Sequence, residues 1–345
     1  MKPSPRIEID LNAIRENSEF LVRELGERNI SVTGVTKGVC GNPEIAKSML
    51  QGGVSQLADA RISNVRRLRA AGFSCPITMI RTPLANEIND VIDHCETSYH
   101  SSLQTIERFA QAATLKNQHH GIVLMLDMGD GREGLSPTDL SATVAFMDNI
   151  SGIHFKGIAT NFGCLSGIGP SPDQIAQFSE LVIKSEKQCG RTLAQHSSGG
   201  SANILWALSS KTTCRATNLR IGEAILLGVD PISQLPINGL TQDAISLFAE
   251  IIECTPLLTT PERSMANEET LSKLVLAIGI VDTDVTGIQF QKELEFIGAT
   301  SDHMVVNSHN PSHKLGSEIE FSINYAALTR AMAGPDLIQH IFNPN

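Results

Sequence analysis

Short apolar segments recur along the first two thirds of the chain, and a polar loop or a helical pattern follows nearly every one. Alternation of strand and helix signals is typical of α/β folds with a parallel sheet. We predict eight strands, over residues 33–37, 55–58, 77–80, 97–100, 122–127, 155–160, 193–197 and 223–228. Eight strand and helix units within about 230 residues favour a (β/α)8 TIM barrel over a doubly wound sheet.

Helix signals fill the intervals between these segments. Asp10 and Asn42 are placed to cap helices, and Pro43 suits the first position of the second helix. Asp173 is predicted to cap a long helix that stops at Gly190. Further helices are expected over residues 62–71, 102–114 and 202–208.

Beyond Gly228 the pattern changes to β-like runs that prolines interrupt. These runs cover residues 249–252, 274–281, 294–297, 303–306 and 318–323. Without helices between them they are predicted to pair antiparallel. The sequence therefore predicts a barrel domain over residues 1–230 and a smaller, mostly β domain over residues 231–345.

Composition narrows the function classes. A net charge of −10 argues against nucleic acid and anionic membranes as partners and leaves a small molecule as the expected one. The beginning of the chain is polar, and no apolar run reaches the 18 or so residues that a membrane span requires. Seven cysteines without a C-x-x-C pair indicate reduced thiols in the cytoplasm and no metal site.

Lys37 follows the first predicted strand and precedes the helix that Asn42 caps. The carboxyl ends of barrel strands are where α/β barrels place their chemistry. Among apolar neighbours the amine would be partly desolvated, which lowers a lysine pKa and suits a Schiff-base amine. The alternative is a strand-end lysine that points into water.

The run Asp127-Met-Gly-Asp-Gly-Arg132-Glu-Gly134 forms a glycine-spaced loop after the fifth predicted strand. Its glycines permit close approach of the backbone to a ligand, and the planar fork of Arg132 suits a carboxylate or a phenolate. The alternative is that Asp127 and Arg132 only pair with each other across the turn.

Two later stretches carry further polar groups to the same end of the barrel. The run Ser197-Ser198-Gly199-Gly200-Ser201 opens a helix and is suited to hold a phosphate, although a plain serine cap would have the same sequence. Arg220 enters an apolar run, so its charge needs a partner, for which Asn161 and Glu223 are candidates.

In combination these motifs resemble the fold-type III pyridoxal-phosphate enzymes, the alanine racemase superfamily, and most closely its ornithine racemase-like branch. The resemblance extends over nearly the whole chain. It is carried by Ile9-Asp10-Leu11, Val35-Thr-Lys37-Gly-Val-Cys-Gly41, the Asp127–Gly134 run, Thr160-Asn161-Phe162, Leu219-Arg220-Ile-Gly222, Leu276-Ala-Ile-Gly279 and Gly298-Ala-Thr-Ser-Asp302-His303.

The resemblance implies a role for each matching residue. Lys37 would hold pyridoxal 5'-phosphate and act as one catalytic base. Arg220 would bind the pyridine nitrogen, with Asn161 beside it, and Arg132 would lie near the phenolic oxygen and the substrate carboxylate. The phosphate would be held by Ser197, Ser198, Gly199, Gly200 and Ser201 together with the backbone of Gly222 and Glu223. Homodimers are also implied, in which the β domain of one chain completes the partner's site.

The sequence departs from the alanine racemase pattern at the second base, which in that family is a tyrosine early in the β domain. Neither Tyr99 nor Tyr325 falls there. Asp302 and His303 are the expected catalytic candidates, and Asp282 is a third. The predicted function is a racemase of an amino acid, with ornithine or another basic one as substrate. A fold-type III decarboxylase and a cofactor carrier without turnover are the alternatives.

Overall fold

The computed structural model describes residues 3–209, 214–257 and 271–343. Within them the chain divides into two compact units. The larger consists of Ile14–Lys37 and Gly41–Thr241. The smaller takes in the described residues up to Ala13, the segment Gly38–Cys40, and those from Gln242 onward.

The larger unit is a closed barrel of eight parallel strands, so the predicted barrel is confirmed. The first strand of the chain, β1 (Arg6–Asp10), lies outside it. The barrel strands are β2 Ser31–Val35, β3 Gln56–Asp59, β4 Ile77–Met79, β5 Thr97–His100, β6 His120–Leu126, β7 Ile153–Thr160, β8 Gln195–Gly200 and β9 Asn218–Ile221. Pairing of β2 with β9 closes the ring and sets Thr33 opposite Arg220. A buried cluster of Tyr99, Val123, Met125 and Ala159 packs between neighbouring strands.

Helices follow most of these strands, as the sequence pattern predicts. They are α2 Pro43–Gln51, α3 Ile62–Ala70, α4 Ile88–His94, α5 Leu103–Leu115, α6 Leu140–Met147, α7 Pro172–Cys189, α8 Ile204–Ser209 and α9 Glu223–Leu227. Before the barrel strands, α1 Leu11–Gly26 follows β1. Asp10 and Asn42 cap α1 and α2 as predicted, each accepting two backbone N–H groups. None of the described helices has the length and apolar character needed to cross a membrane.

Two sequence predictions in the barrel are wrong. The eighth strand is Asn218–Ile221, whereas residues 223–227 of the predicted strand form α9, which ends at Gly228 with φ 67°. A short run that is buried on all sides carries no periodicity to separate strand from helix. At α7 the cap is Ser171 rather than Asp173, because Ser171 and Gln174 exchange the two hydrogen bonds of a capping box.

The smaller unit is mostly antiparallel sheet, as predicted. Its strands after β9 are β10 Ile245–Pro256, β11 Ser272–Leu276, β12 Ile288–Gln289, β13 Leu294–Ala299, β14 Met304–Ser308, β15 Glu318–Ile323 and β16 Ile338–Phe342. Helix α10, Tyr325–Ala333, follows β15. The strand order is β12-β15-β10-β11-β14-β13. Strand β1 pairs antiparallel with β10 and parallel with β16. Residues 6–10 thus add a strand to this sheet, whereas the sequence assigned them to the barrel domain.

Candidate active site

The backbone before Lys37 is anchored by a buried carboxylate. The Thr36 hydroxyl donates to Asp59 Oδ2 at 2.7 Å, while Asp59 Oδ1 accepts from the backbone of Arg61 and the amide of Asn64. Burial raises the pKa of Asp59 above its ordinary value. These bonds fix the end of β2, from which the 3-10 turn Lys37–Val39 begins.

Lys37 itself is exposed, at the end of the barrel where the carboxyl ends of the strands meet, which we call the barrel mouth. The desolvated amine considered from the sequence is therefore not what the structure has. Glu223 is nearby and half-buried, at the first residue of α9. Burial raises the pKa of Glu223, and the Lys37 ammonium partly offsets that effect. An exposed amine near a carboxyl group can meet an incoming ligand and exchange protons locally.

Arg220 is 7% exposed, and its partners are neutral acceptors. Its Nη1 donates to the Ser197 hydroxyl, and its Nη2 donates to the Thr160 carbonyl at 2.9 Å and to Asn161 Oδ1 at 2.5 Å. Its guanidinium also lies over the ring of Tyr99, 5.2 Å from the centroid. Among the described residues no carboxylate is within ion-pair distance, so the predicted bond to Asn161 forms and the salt bridge to Glu223 does not.

Arg132 is held differently. Its Nε and Nη2 form a two-pronged pair with the carboxylate of Glu133, and its Nη1 contacts Cys164 Sγ at 2.8 Å. Asp127 instead turns its Oδ1 to the backbone N–H groups of Gly129 and Gly131. The pairing of Asp127 with Arg132 that the sequence allowed is therefore not formed.

The glycine at the end of this loop has a structural reason. Gly134 has φ +147°, and a Cβ there would lie 2.1 Å from the backbone nitrogen of Asp127. A side chain cannot be accommodated at that distance. Gly134 therefore permits the loop to fold back onto the end of β6.

The serine-glycine run follows β8 and forms a polar cradle. The Ser201 hydroxyl accepts the backbone N–H groups of Gly222 and Ala224 at 3.3 Å each, and Asn203 accepts that of Gly200 at 3.1 Å. The Ser198 hydroxyl and the Asn203 Nδ2 are buried without a hydrogen-bond partner among the described residues. Buried polar atoms without partners are costly unless a ligand satisfies them, so the chemistry of this cradle fits a phosphate.

The three candidates for the second base lie in the smaller unit. Asp302 is exposed and accepts a hydrogen bond from the Ser301 hydroxyl at 2.8 Å, and the neighbouring His303 is exposed as well. Asp282 accepts the backbone N–H of Gly279 at 2.8 Å. Burial raises the pKa of Asp282, and the carboxylates of Asp302 and Asp336 add to that rise.

Several site residues escaped the sequence reasoning. Glu133 and Asn203 stand inside motifs that it singled out, but nothing in the motif shows which atom each would contact. Tyr99 carries no signal beyond its position near the end of a strand. Within the smaller unit, Tyr325 packs on Gly38 so closely that a Cβ at Gly38 would lie 2.6 Å from the tyrosine hydroxyl.

The family model for the N-terminal domain of alanine racemase matches residues 9–231. The chain belongs to the alanine racemase family. It is an amino-acid racemase and thus an isomerase.

Two curated members of the alanine racemase family align with nearly the entire chain. The ornithine racemase of Acetoanaerobium sticklandii is 28% identical and covers 94% of this chain and 96% of its own length. The lysine racemase of Thermotoga maritima is 29% identical and covers 99% of each. The fold agrees with that of the alanine racemase from Streptomyces coelicolor A3(2), with a TM-score of 0.78 at 18% identity and 98% coverage of both chains.

Proposed function

We propose that this racemase acts on a basic amino acid, ornithine or lysine, with pyridoxal phosphate as its cofactor. The observation that supports the substrate class is the full-length similarity to an ornithine racemase and a lysine racemase. An alanine racemase of Methanococcus maripaludis matches over only 45% of the chain. Glu223 also places a carboxyl group near Lys37 at the barrel mouth, which suits the second ammonium of a basic substrate.

Lys37 is the residue that holds the cofactor in this proposal. Pyridoxal phosphate draws electron density away from the Cα of a bound amino acid, which makes the Cα proton removable near neutral pH. Lys37 would serve as the base that takes up and returns that proton. Its exposure at the barrel mouth and the neighbouring Glu223 carboxyl suit this exchange.

Arg220 would hold the ring nitrogen of the cofactor by a hydrogen bond. A guanidinium keeps its proton at any physiological pH, so Arg220 does not protonate that nitrogen. It thereby limits how much charge the ring withdraws and favours simple return of the proton over transamination. The neutral acceptors Ser197, Thr160 and Asn161 fix its position without lowering its charge.

The substrate carboxylate and the cofactor phosphate are assigned to two different groups of residues. Arg132 offers a fork for the substrate carboxylate. The phosphate is held in the serine-glycine cradle, where the Ser198 hydroxyl and the Asn203 amide each have a donor to give.

The second base is proposed to be Asp302 or His303 of a partner chain in a homodimer. Exposed apolar side chains in the smaller unit support a dimer: Ile280 and Val281 are 50% exposed and Ile297 is 53% exposed.

Mixing the inactive Lys37→Ala chain with an inactive Asp302→Asn chain should restore up to about a quarter of wild-type activity if sites are shared across a two-fold interface. If activity does not recover after subunit exchange, or if light scattering shows a monomer, the proposal of a shared site is wrong.

Racemisation is tested by incubating the purified holoenzyme with single L-amino acids in deuterium oxide. We expect loss of optical rotation and deuterium at Cα with ornithine or lysine, and loss of both activity and bound-cofactor absorbance in Lys37→Ala. Lys47→Ala, on the exposed face of α2, is the control. Carbon dioxide release would indicate a decarboxylase, and cofactor binding without exchange at Cα would indicate a carrier.

A further inference from the structure

Hydrogen bonds connect the two site arginines through two side chains. Arg220 Nη2 donates to Asn161 Oδ1 at 2.5 Å, and Asn161 Nδ2 donates to Glu133 Oε1 at 3.3 Å. The same Oε1 accepts from Arg132 Nη2 at 2.7 Å, while Oε2 accepts from Arg132 Nε. A single carboxylate thus stands between the guanidinium groups of Arg220 and Arg132.

The order of these bonds fixes the orientation of Asn161. Its amide has an acceptor end and a donor end, and only one orientation can satisfy a cation on one side and an anion on the other. Glu133 therefore determines the direction in which Asn161 points, and through it the acceptor that Arg220 receives. A neutral side chain at position 133 would remove that constraint.

The way Glu133 holds Arg132 leaves a defined part of the guanidinium for a ligand. A guanidinium has five N–H groups. Glu133 takes the edge formed by Nε and Nη2, and Cys164 takes one N–H of Nη1. Among contacts with described residues, one N–H on Nη1 and one on Nη2 remain for a ligand carboxylate.

We propose that Glu133 is a positioning residue that orients the outer edge of Arg132 toward the substrate carboxylate and ties Arg132 to Arg220. The inference rests on the proposed function for the role of Arg132, but the contacts that carry it are those of this chain alone. The pair is only partly buried, with 34% of Arg132 and 31% of Glu133 exposed, so its role is orientation rather than stability of the fold.

The test separates carboxylate recognition from general damage. Acetate binding is measured by calorimetry in wild type and in Glu133→Ala, Glu133→Gln and Glu133→Asp, together with kcat and KM for the racemised amino acid. Glu133→Ala should weaken acetate binding and raise KM about tenfold, with kcat changed less than about threefold, because orientation and not chemistry is lost. Glu133→Gln keeps one acceptor and should lie between Glu133→Ala and wild type.

A second ligand and a matched variant provide the controls. Binding of a diamine that lacks the carboxylate, followed by the change in cofactor absorbance, should be the same in wild type and in Glu133→Ala. Glu24→Ala removes another pair of adjacent Arg and Glu side chains, Arg23 with Glu24 on α1, and should leave every constant unchanged.

The outcomes distinguish this inference from the proposed function. Unchanged acetate affinity in Glu133→Ala, or equal weakening of acetate and diamine, would overturn the positioning role even in an active racemase. Absence of racemisation in wild type would overturn the proposed function, whereas the acetate comparison could still be made on the same protein. Weaker acetate binding in Glu133→Ala with intact diamine binding supports the positioning role.

Discussion

The two arginines at the barrel mouth stand in opposite environments. Arg220 belongs to a strand, is buried, and is held by neutral oxygen atoms of Ser197, Thr160 and Asn161. Arg132 belongs to a loop, is about one third exposed, and is neutralised by the adjacent Glu133. A buried cation without a carboxylate keeps its full charge for a ligand, at the cost of desolvation. An exposed, paired cation costs the fold little and contributes by its orientation.

The largest effect that this contrast predicts is that of Arg220→Leu. The change leaves Asn161 Oδ1 and the Thr160 carbonyl without their donor, so the free energy of unfolding should fall by about 2–4 kcal/mol. Racemisation should fall by about a thousandfold, because a charged donor in a buried site is lost. Urea titration and deuterium exchange at Cα measure the two effects. Arg66→Leu, which removes an exposed pair with Asp90, is the control and should change neither by much.

Arg132→Ala should separate activity from stability. We expect kcat/KM to fall about a hundredfold, mainly through KM, because a charged two-pronged contact to the substrate carboxylate is removed. The urea midpoint should move by less than the equivalent of about 1 kcal/mol, since exposed ion pairs contribute little. If Arg132→Ala were as destabilising as Arg220→Leu, the difference between the two sites would not be one of burial.

The sequence predicts where these residues lie in the fold better than it predicts which residues they contact. The short β-branched run before Lys37 and the glycine-spaced loop after β6 placed the amine and Arg132 at strand ends, since strand ends are marked by local composition. Asp127 and Glu133 are both close to Arg132 in sequence, so either could be its partner. Which of them pairs with Arg132 depends on how the loop folds back at Gly134.

The same limit explains the error at the eighth strand. The sequence shows Arg220 as a cation that enters an apolar run and predicts a strand over residues 223–228, but the strand is Asn218–Ile221 and the run after Gly222 is helical. Local propensity does not decide a five-residue buried segment, because tertiary packing does. The strand β1 was missed for a related reason: its partners, β10 and β16, lie more than 200 residues away in the chain.

Acid sensitivity of the fold should come from the barrel wall rather than from either arginine, since both keep their charge. In the wall the Ser98 hydroxyl lies 2.7 Å from His100 Nε2 and 2.8 Å from His120 Nε2. Burial lowers the pKa of His100 to about 3 and that of His120 to about 4, from 6.5. Below pH 6.5 these two histidines are therefore protonated in the unfolded chain but stay neutral in the folded chain.

Stability should consequently decrease as the pH falls from 6.5 toward 4, by up to about 1.4 kcal/mol per pH unit for each histidine. Urea titrations at several pH values measure this slope. His100→Gln should make it shallower by about one proton. An equal slope in His100→Gln and wild type would place the acid sensitivity elsewhere.

The smallest predicted effect is on two neighbouring buried serines. Like the two arginines, they differ in the partners that their side chains have. The Ser197 hydroxyl donates to Asn218 Oδ1 at 2.9 Å and accepts from Arg220, whereas the equally buried Ser198 hydroxyl has no partner among the described residues. Ser197→Ala should therefore cost about 1–2 kcal/mol of unfolding free energy, and Ser198→Ala should cost none or add slightly to stability. If the Ser198 hydroxyl is kept for a phosphate, Ser198→Ala should instead weaken pyridoxal phosphate binding by about five- to tenfold. Titration of the cofactor-free protein measures this loss, and unchanged cofactor affinity in Ser198→Ala would mean that the phosphate is held elsewhere.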